Sequence, residues 1–501
     1  MFKKIKLFTL LLILFLTIGI SCSEKMIDIP PVNPSEADYF KTEPQFTAAV
    51  FGVYARLTDL YNFNTGTGSN FLPITFLPGD DVTVTGQNAF EHFSQLEPSN
   101  GRISNYWTKI YQMVGRANIV LAKIATEQGV YKTAGLKNTH TGEALFLRGY
   151  AFYLLWNSFA KAPVVTERVA STSELNQPES KGTELLDQAI KDFGDAAGLL
   201  PASWGANDRG RVSKNSANGF LGKCLVFRGT EKKAAADFTA AIAAFNAITG
   251  VALVPNFGDN FAYDTENNGE SLFEFQASQP GFDNVWLPNE FDGAVGTMSG
   301  YWGFFYTGNN HNNDNINFIA TNKLYNKFDA ADPRRDLTVN ATKALIKYTR
   351  KDVNSQSGVG SINNARILRY ADVLLLKAEA ILQSNGSTAE AIGLINQVRT
   401  RARNMVAGGT VPANLSTAQT DKTVIMQWIM DERLVELAAE GQRWYDLTRW
   451  HRAGYITLSN AFFDPVNAAV MAFTAPKHLL LPIPLSETDK NPNVVGNNPG
   501  Y

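Results

Sequence analysis

Eight aromatic residues, Phe282, Trp286, Phe291, Tyr301, Trp302, Phe304, Phe305 and Tyr306, stand close together among glycine, asparagine and aspartate. Flat rings beside amide and carboxylate side chains suit a sugar. The ring takes the apolar face of a pyranose and its polar neighbours take the hydroxyls. Amphipathic rings with adaptable polar neighbours serve peptides equally well, so both ligand classes stay open. Trp286, Tyr301 and Trp302 lead the candidates, because tryptophan offers the largest stacking surface and Gly300 and Gly303 let a ligand approach Trp302 closely. Phe304, Phe305 and Tyr306 join them, as do Phe71 and Phe90 from an earlier stretch of similar composition. The competing use of each ring is to staple a long loop to the body, since aromatics are so often core.

Catalysis has little support. A glycosidase needs only two suitably spaced carboxylates, and 47 acidic residues supply a pair anywhere, which singles out none. The five histidines (His92, His140, His311, His451 and His478) are scattered without metal-ligand spacing, and no HExxH, GxSxG or P-loop occurs. Asp264 to Gly269 loosely imitates a calcium loop, but Glu266 stands third and Phe275 takes the place of the terminal glutamate. It reads as an asparagine-rich turn. No cofactor and no metal is expected. A formal net charge of -2 without a basic patch excludes nucleic acid as an obvious partner.

Cys22 is a different kind of reactive residue. Lys3, Lys4 and Lys6 precede an apolar run from Leu7 to Ile20, and small residues lead into the cysteine, so residues 1–21 read as a secretory signal. The position of the thiol resembles a bacterial lipobox, in which it is diacylated. Several acyl chains hold a membrane lastingly, at ~0.8 kcal/mol per buried CH₂. Residues 22–35, with Pro30, Pro31 and Pro34, then read as a lipidated end and an extended leash. With Cys22 acylated, Cys224 has no partner within the chain and reads as a buried small hydrophobe in the apolar stretch Leu221 to Phe227.

Helices must position the rings. Apolar residues recur at 3.6-residue spacing around Phe46 to Val53, Trp107 to Ile124, Glu143 to Phe159, Thr183 to Leu200, Ser213 to Arg228 and Phe238 to Phe245. Tyr370 to Gln383 and Ala389 to Arg403 pair across a Ser-Asn-Gly-Ser turn, and Val424 to Glu440 is the last long helix. Such pairs point to divergent tetratricopeptide-like units in a mainly α, right-handed superhelical scaffold, and an irregular helical domain has the same local pattern. Two loop-rich insertions, about 58–105 and 251–322, interrupt residues 36–501, which are read as a single domain. Glu432, Glu436 and Glu440 repeat on one expected helix face, with Arg443, Asp446 and Arg449 beyond Gly441. Interlocked carboxylates and guanidiniums there have a structural use, fixing how the chain folds back on the helix pairs.

Ordered blocks along nearly the whole mature chain resemble the SusD/RagB family of outer-membrane nutrient-binding lipoproteins. They are Glu143-Ala-Leu-Phe-Leu-Arg-Gly-Tyr with Ala162-Pro-Val-Val, Gly210-Arg-Val-Ser-Lys, Asp332-Pro-Arg-Arg-Asp, Arg369-Tyr-Ala-Asp, Ile395-Asn-Gln-Val-Arg-Thr-Arg-Ala, and Glu432 through Trp450. Leu481-Pro-Ile-Pro and Asn498-Pro-Gly-Tyr501 follow. The resemblance implies a non-catalytic lid on a SusC-like TonB-dependent transporter. Such a lid is lipid-anchored in the outer membrane, faces the exterior, and captures a glycan or, less often, an oligopeptide. A glycoside hydrolase and a scaffold that binds only the transporter are the other readings.

Overall fold

The computed structural model describes residues 39–61, 71–86, 88–171, 174–277, 305, 318–350, 362–463 and 471–501. Cys22, the leash, Trp286, Tyr301, Trp302, Phe304 and Tyr306 lie outside them. The longer helices are α1 (Glu43–Tyr54), α2 (Gly101–Thr126), α3 (Leu136–Ser158), α4 (Glu184–Leu199), α5 (Lys214–Lys232) and α6 (Ala235–Asn246). They continue with α7 (Tyr370–Gln383), α8 (Thr388–Arg403), α9 (Lys422–Glu436) and α10 (Arg443–Ala453). The fold is mainly α.

Local chemistry sets the helix starts. The Asn100 side chain accepts from the Arg102 and Ile103 amides at 3.0 and 3.3 Å, and Asp421 accepts from Thr423 at 2.8 Å. Each cap satisfies donors that the first turn leaves open. Sequence neighbours then stack in order, α2 on α3, α3 on α4, α4 on α5 and α5 on α6, while α7 packs on α8 and α9. This succession is what tetratricopeptide-like pairs require. The α5–α6 crossing depends on Gly222, where a Cβ would lie 2.3 Å from the Phe245 ring. Cys224 on α5 is fully buried, as its apolar neighbours predict, and burial pushes its thiol well up.

Buried ion pairs fix the return of the chain. Arg148 of α3 grips Asp192 of α4 through two bonds, at 2.8 and 2.7 Å. In the C-terminal half, Glu436 meets Arg334 at 2.9 Å, Arg369 at 2.6 Å and Arg401, all within the core. Glu432 takes Arg334 and Arg399, Glu440 takes Arg369 and Lys347, and Glu270 takes Arg369 and Arg401. A second cluster joins Asp446 to Arg433 and Arg449, and Asp372 to Arg433 and Lys223. The blocks around Asp332, Arg369, Ile395 and Glu432 therefore meet in one buried junction, the structural use expected for the last of them.

The expected face differs in one respect. Helix α9 stops at Glu436, four residues short of Glu440. Lys347 donates to the carbonyls of Glu436 and Ala438 at 3.0 and 2.9 Å, and Arg369 also donates to Glu436 O. Cations thus take the carbonyls that another helical turn would have used. Ala439 turns left-handed at φ 56, and Glu440 reaches the same junction from a turn.

Two short antiparallel sheets were not expected. Strand β1 (Val82–Val84) pairs with β3 (Phe318–Ala320), and β2 (Ser271–Phe275) with β4 (Ala365–Arg369). The first loop-rich stretch also holds helices Arg56–Tyr61, Leu72–Phe76 and Ala89–His92, each too short to show a 3.6 period.

Candidate ligand-binding site

The two insertions are rooted together. Tyr61, at the entry to residues 62–70, stacks on Phe275 at 5.6 Å and 17° between ring planes. Phe275 in turn precedes residues 278–304. Strand β1 of the first insertion pairs with β3 at the end of the second, and Phe305 packs on both Phe76 and Phe318 at 5.6 Å. Rings and sheet thus gather distant segments onto one patch of the helical body.

Carboxylates sit under this patch. Asp80 binds Arg443 at 2.5 Å and Lys323 at 2.6 Å. Burial would raise Asp80, but these cations bring it down to about 2. Asp81 accepts from the Ala439 amide at 2.9 Å, and Glu91 accepts from the Thr83 hydroxyl of β1. Burial pushes Asp81 up to about 6 and Glu91 up to about 7, because no comparable cation offsets their desolvation.

Beside the roots lies a cleft of about 260 Å³, floored by Phe51, Leu57 and Phe275 and rimmed by Asn207, Arg209 and Gln276. A second cleft of about 230 Å³ adjoins it, with Trp204 and Asn268 among its lining residues. Arg209, Gly210 and Arg211 line both. Arg211 is held by Glu143 at 2.8 and 2.7 Å and by Asp208 at 2.8 Å. Its guanidinium lies 3.9 Å from the Trp204 ring centroid and 5.3 Å from that of Phe51. The Tyr54 hydroxyl also donates to Glu143 at 3.0 Å. Burial pushes the Glu143 carboxyl up, against the opposing pull of Arg211. Gly210 has φ +98, and a Cβ there would lie 2.4 Å from the Gln276 side chain.

Of the ring candidates, three are described and all three are core. Phe71 is 2 %, Phe90 3 % and Phe305 4 % exposed. Phe71 packs on Tyr106 at 5.0 Å, and Arg102 lies 5.9 Å from the Phe90 ring centroid. These rings support the patch and show no open face, which is the stapling use weighed above. The calcium-like turn is spent on internal bonds. Glu266 accepts from the Asn364 amide at 2.5 Å, and the Asn267 amide donates to Glu274 at 3.2 Å. Among the described residues no group of three or more His, Cys, Asp or Glu is arranged to hold a metal ion.

Sequence reasoning missed the paired clefts. The Gly210-Arg211 block was noticed, but its partner Glu143 lies 68 residues away and Phe51 on another helix. The one local signal was Trp204 beside an Asn-Asp-Arg-Gly-Arg run.

Comparison with known proteins agrees with the fold. SusD-like protein P2 of Formosa agariphila is 26% identical over 100% of both chains. A SusD-like protein of Bacteroides ovatus is 24% identical, with 86% of this chain and 80% of the relative covered. A solved SusD homolog of Bacteroides thetaiotaomicron superposes with a TM-score of 0.76 at 22% identity, covering 93% of this chain and 99% of that one. A structure described as a laminarin-binding SusD-like protein gives 0.73 at 22% identity, covering 92% and 100%. The SusD family profile matches residues 260–501, and a profile described as starch-binding and associating with the outer membrane matches residues 73–225. With these two profiles spanning well over half of its length, the chain belongs to the SusD/RagB family.

Proposed function

We propose that this protein is a non-catalytic, lipid-anchored receptor on the outer face of the outer membrane. It captures an oligo- or polysaccharide and passes it to a SusC-like TonB-dependent transporter. The observation that carries the reading is the common root of the two insertions, where Tyr61 stacks on Phe275 and β1 pairs with β3. A long glycan needs a broad platform of rings and amides, and a shared root for segments that are distant in sequence is compatible with one. Trp286, Tyr301, Trp302, Phe304 and Tyr306 are the proposed ring contacts, and the buried Phe71, Phe90 and Phe305 are assigned a packing role. The glycan-related descriptions of structural neighbours, among them surface glycan-binding protein A of Bacteroides fluxus, support the ligand class. Anchoring is assigned to Cys22, and delivery to a transporter rests on the family resemblance.

The test is binding of the purified protein to a panel of polysaccharides and to a peptide mixture, with Trp286→Ala and Trp302→Ala alongside. The expected result is binding to at least one polysaccharide, weakened in the variants at an unchanged melting temperature. Binding to peptides alone replaces the ligand class. Variants that melt normally and bind like the wild type remove the ring assignment. For the anchor, fatty-acid labelling is expected on the wild type and absent from Cys22→Ala.

A further inference from the structure

The paired clefts around Gly210 include none of the ring contacts proposed above, and their chemistry is specific enough to assign a ligand. Arg211 is clamped by Glu143 and Asp208 and flanked by Phe51 and Trp204, so one guanidinium orders a ring at the edge of each cleft. That wall is rigid before any ligand arrives, which lowers the ordering cost of binding. Arg209 is the opposite case. Its side chain is exposed, and it has no hydrogen-bond or ion-pair partner among the described residues. Asn207 is exposed as well, on the same rim as Gln276.

Charge narrows the choice of ligand. The cations Arg209 and Arg211 are equalled in number by Asp208 and Glu143, both of which pair with Arg211, while Glu274, which also lines both clefts, faces Arg366 at 3.7 Å. A balanced site with an apolar floor and a rim of amide and guanidinium donors fits an uncharged, hydroxyl-rich ring better than an anion or a cation. Each cleft is a little below the ~300–1,000 Å³ usual for small-ligand pockets, and the pair together falls within that range. The larger cleft is lined by Thr58 and Gln276, which stand close in sequence to the starts of residues 62–70 and 278–304.

We propose that the clefts on either side of Gly210 form a second subsite for neutral sugar units of a glycan whose other units lie on the insertions. The inference rests on the glycan reading and adds a place and a charge class to it. A unit bound here is reached intramolecularly once the chain is held elsewhere, so the subsite raises affinity for long chains and leaves short ones alone.

The experiment uses the full-length protein in detergent, with laminarin, starch and polygalacturonate as polymers and the matching disaccharides as short probes. Two variants change only exposed rim residues: the double substitution Asn207→Ala with Arg209→Ala, and Asn207→Trp, which plugs the larger cleft. For a neutral polymer that the wild type binds, each variant is expected to lose about tenfold in affinity, or ~1.4 kcal/mol. Disaccharide affinity and melting temperature are expected to stay unchanged. Neutral-polymer binding that survives both variants overturns the subsite alone, and preferential loss of polygalacturonate binding overturns its charge class. A wild type that binds none of the polysaccharides overturns the glycan reading and the subsite with it.

Discussion

Buried carboxylates meet opposite fates in two regions of this protein. At the C-terminal junction Glu436 is surrounded by Arg334, Arg369 and Arg401. Burial alone would raise it, but those guanidiniums hold it well below the usual carboxylate range. Within the first insertion, Asp81 and Glu91 are also buried, and desolvation leaves them at about 6 and 7. Burial therefore does not decide whether an acid is locked or titratable; the number of cations facing it does. Glu436 stays ionised through the physiological range. The base of the candidate site carries charge at a cost that changes with pH.

The comparison breaks most visibly at its strongest point. Glu436→Ala leaves three buried guanidiniums short of a partner, and is expected to cost ~3–5 kcal/mol, the range for removing one member of a buried pair. Denaturant unfolding measures it, and a loss below 1 kcal/mol would show that Glu432, Glu440 and Glu270 suffice. Gly222→Ala sharpens the contrast from the apolar side. It drives a methyl into Phe245 without touching a charge, and a loss of ~1–3 kcal/mol with no pH dependence is expected.

The pH experiment follows in size. Asp81 and Glu91 bind protons more tightly folded than unfolded, so their contribution to stability is complete below about pH 4. It is lost as pH rises through about 6 and 7. Asp80 has the reverse sign. Its contribution is present above its unfolded value and disappears as pH falls through about 2. Glu91→Gln is accordingly expected to stabilise the protein at pH 8 by ~1–2 kcal/mol and to have little effect at pH 4. Thermal melts at the two pH values decide it, and equal shifts at both would remove the titration argument. Smallest is Cys22→Ala, with no expected change in melting and full release from the membrane fraction.

How much of this could be read from the chain differs by element. Helices α7 and α8 were legible to within a residue at the ends, because their apolar stripes are regular and a Ser-Asn-Gly-Ser turn separates them. The strands were not, since all of β4 and four of the five residues of β2 are buried, which erases the two-residue alternation that marks a strand. The structural use of Glu432 and Glu436 was visible, but not their partner Arg334, which lies 98 and 102 residues away. For the candidate site, composition singled out Phe71, Phe90 and Phe305, which the structure buries in the core. Glycine and asparagine around a ring describe the local backbone and say nothing of what lies across from it in the fold.

The pairing of Val82–Val84 with Phe318–Ala320 also has a consequence in time. Helix pairs such as α7 and α8 close over a few residues and are expected to form early, whereas this sheet must bring together segments separated by nearly half the chain, against a larger loop-closure entropy. Two three-residue strands then supply few bonds to hold what was slowly gathered. The platform is therefore expected to assemble last and to open first. Its amides at Thr83 and Ile319 should exchange hydrogen well before those of Leu375 and Leu376 in α7. On the proposed reading, a surface that grips a polymer and then releases it would lie where the molecule is expected to open first, with the ion-paired junction holding the rest of the fold.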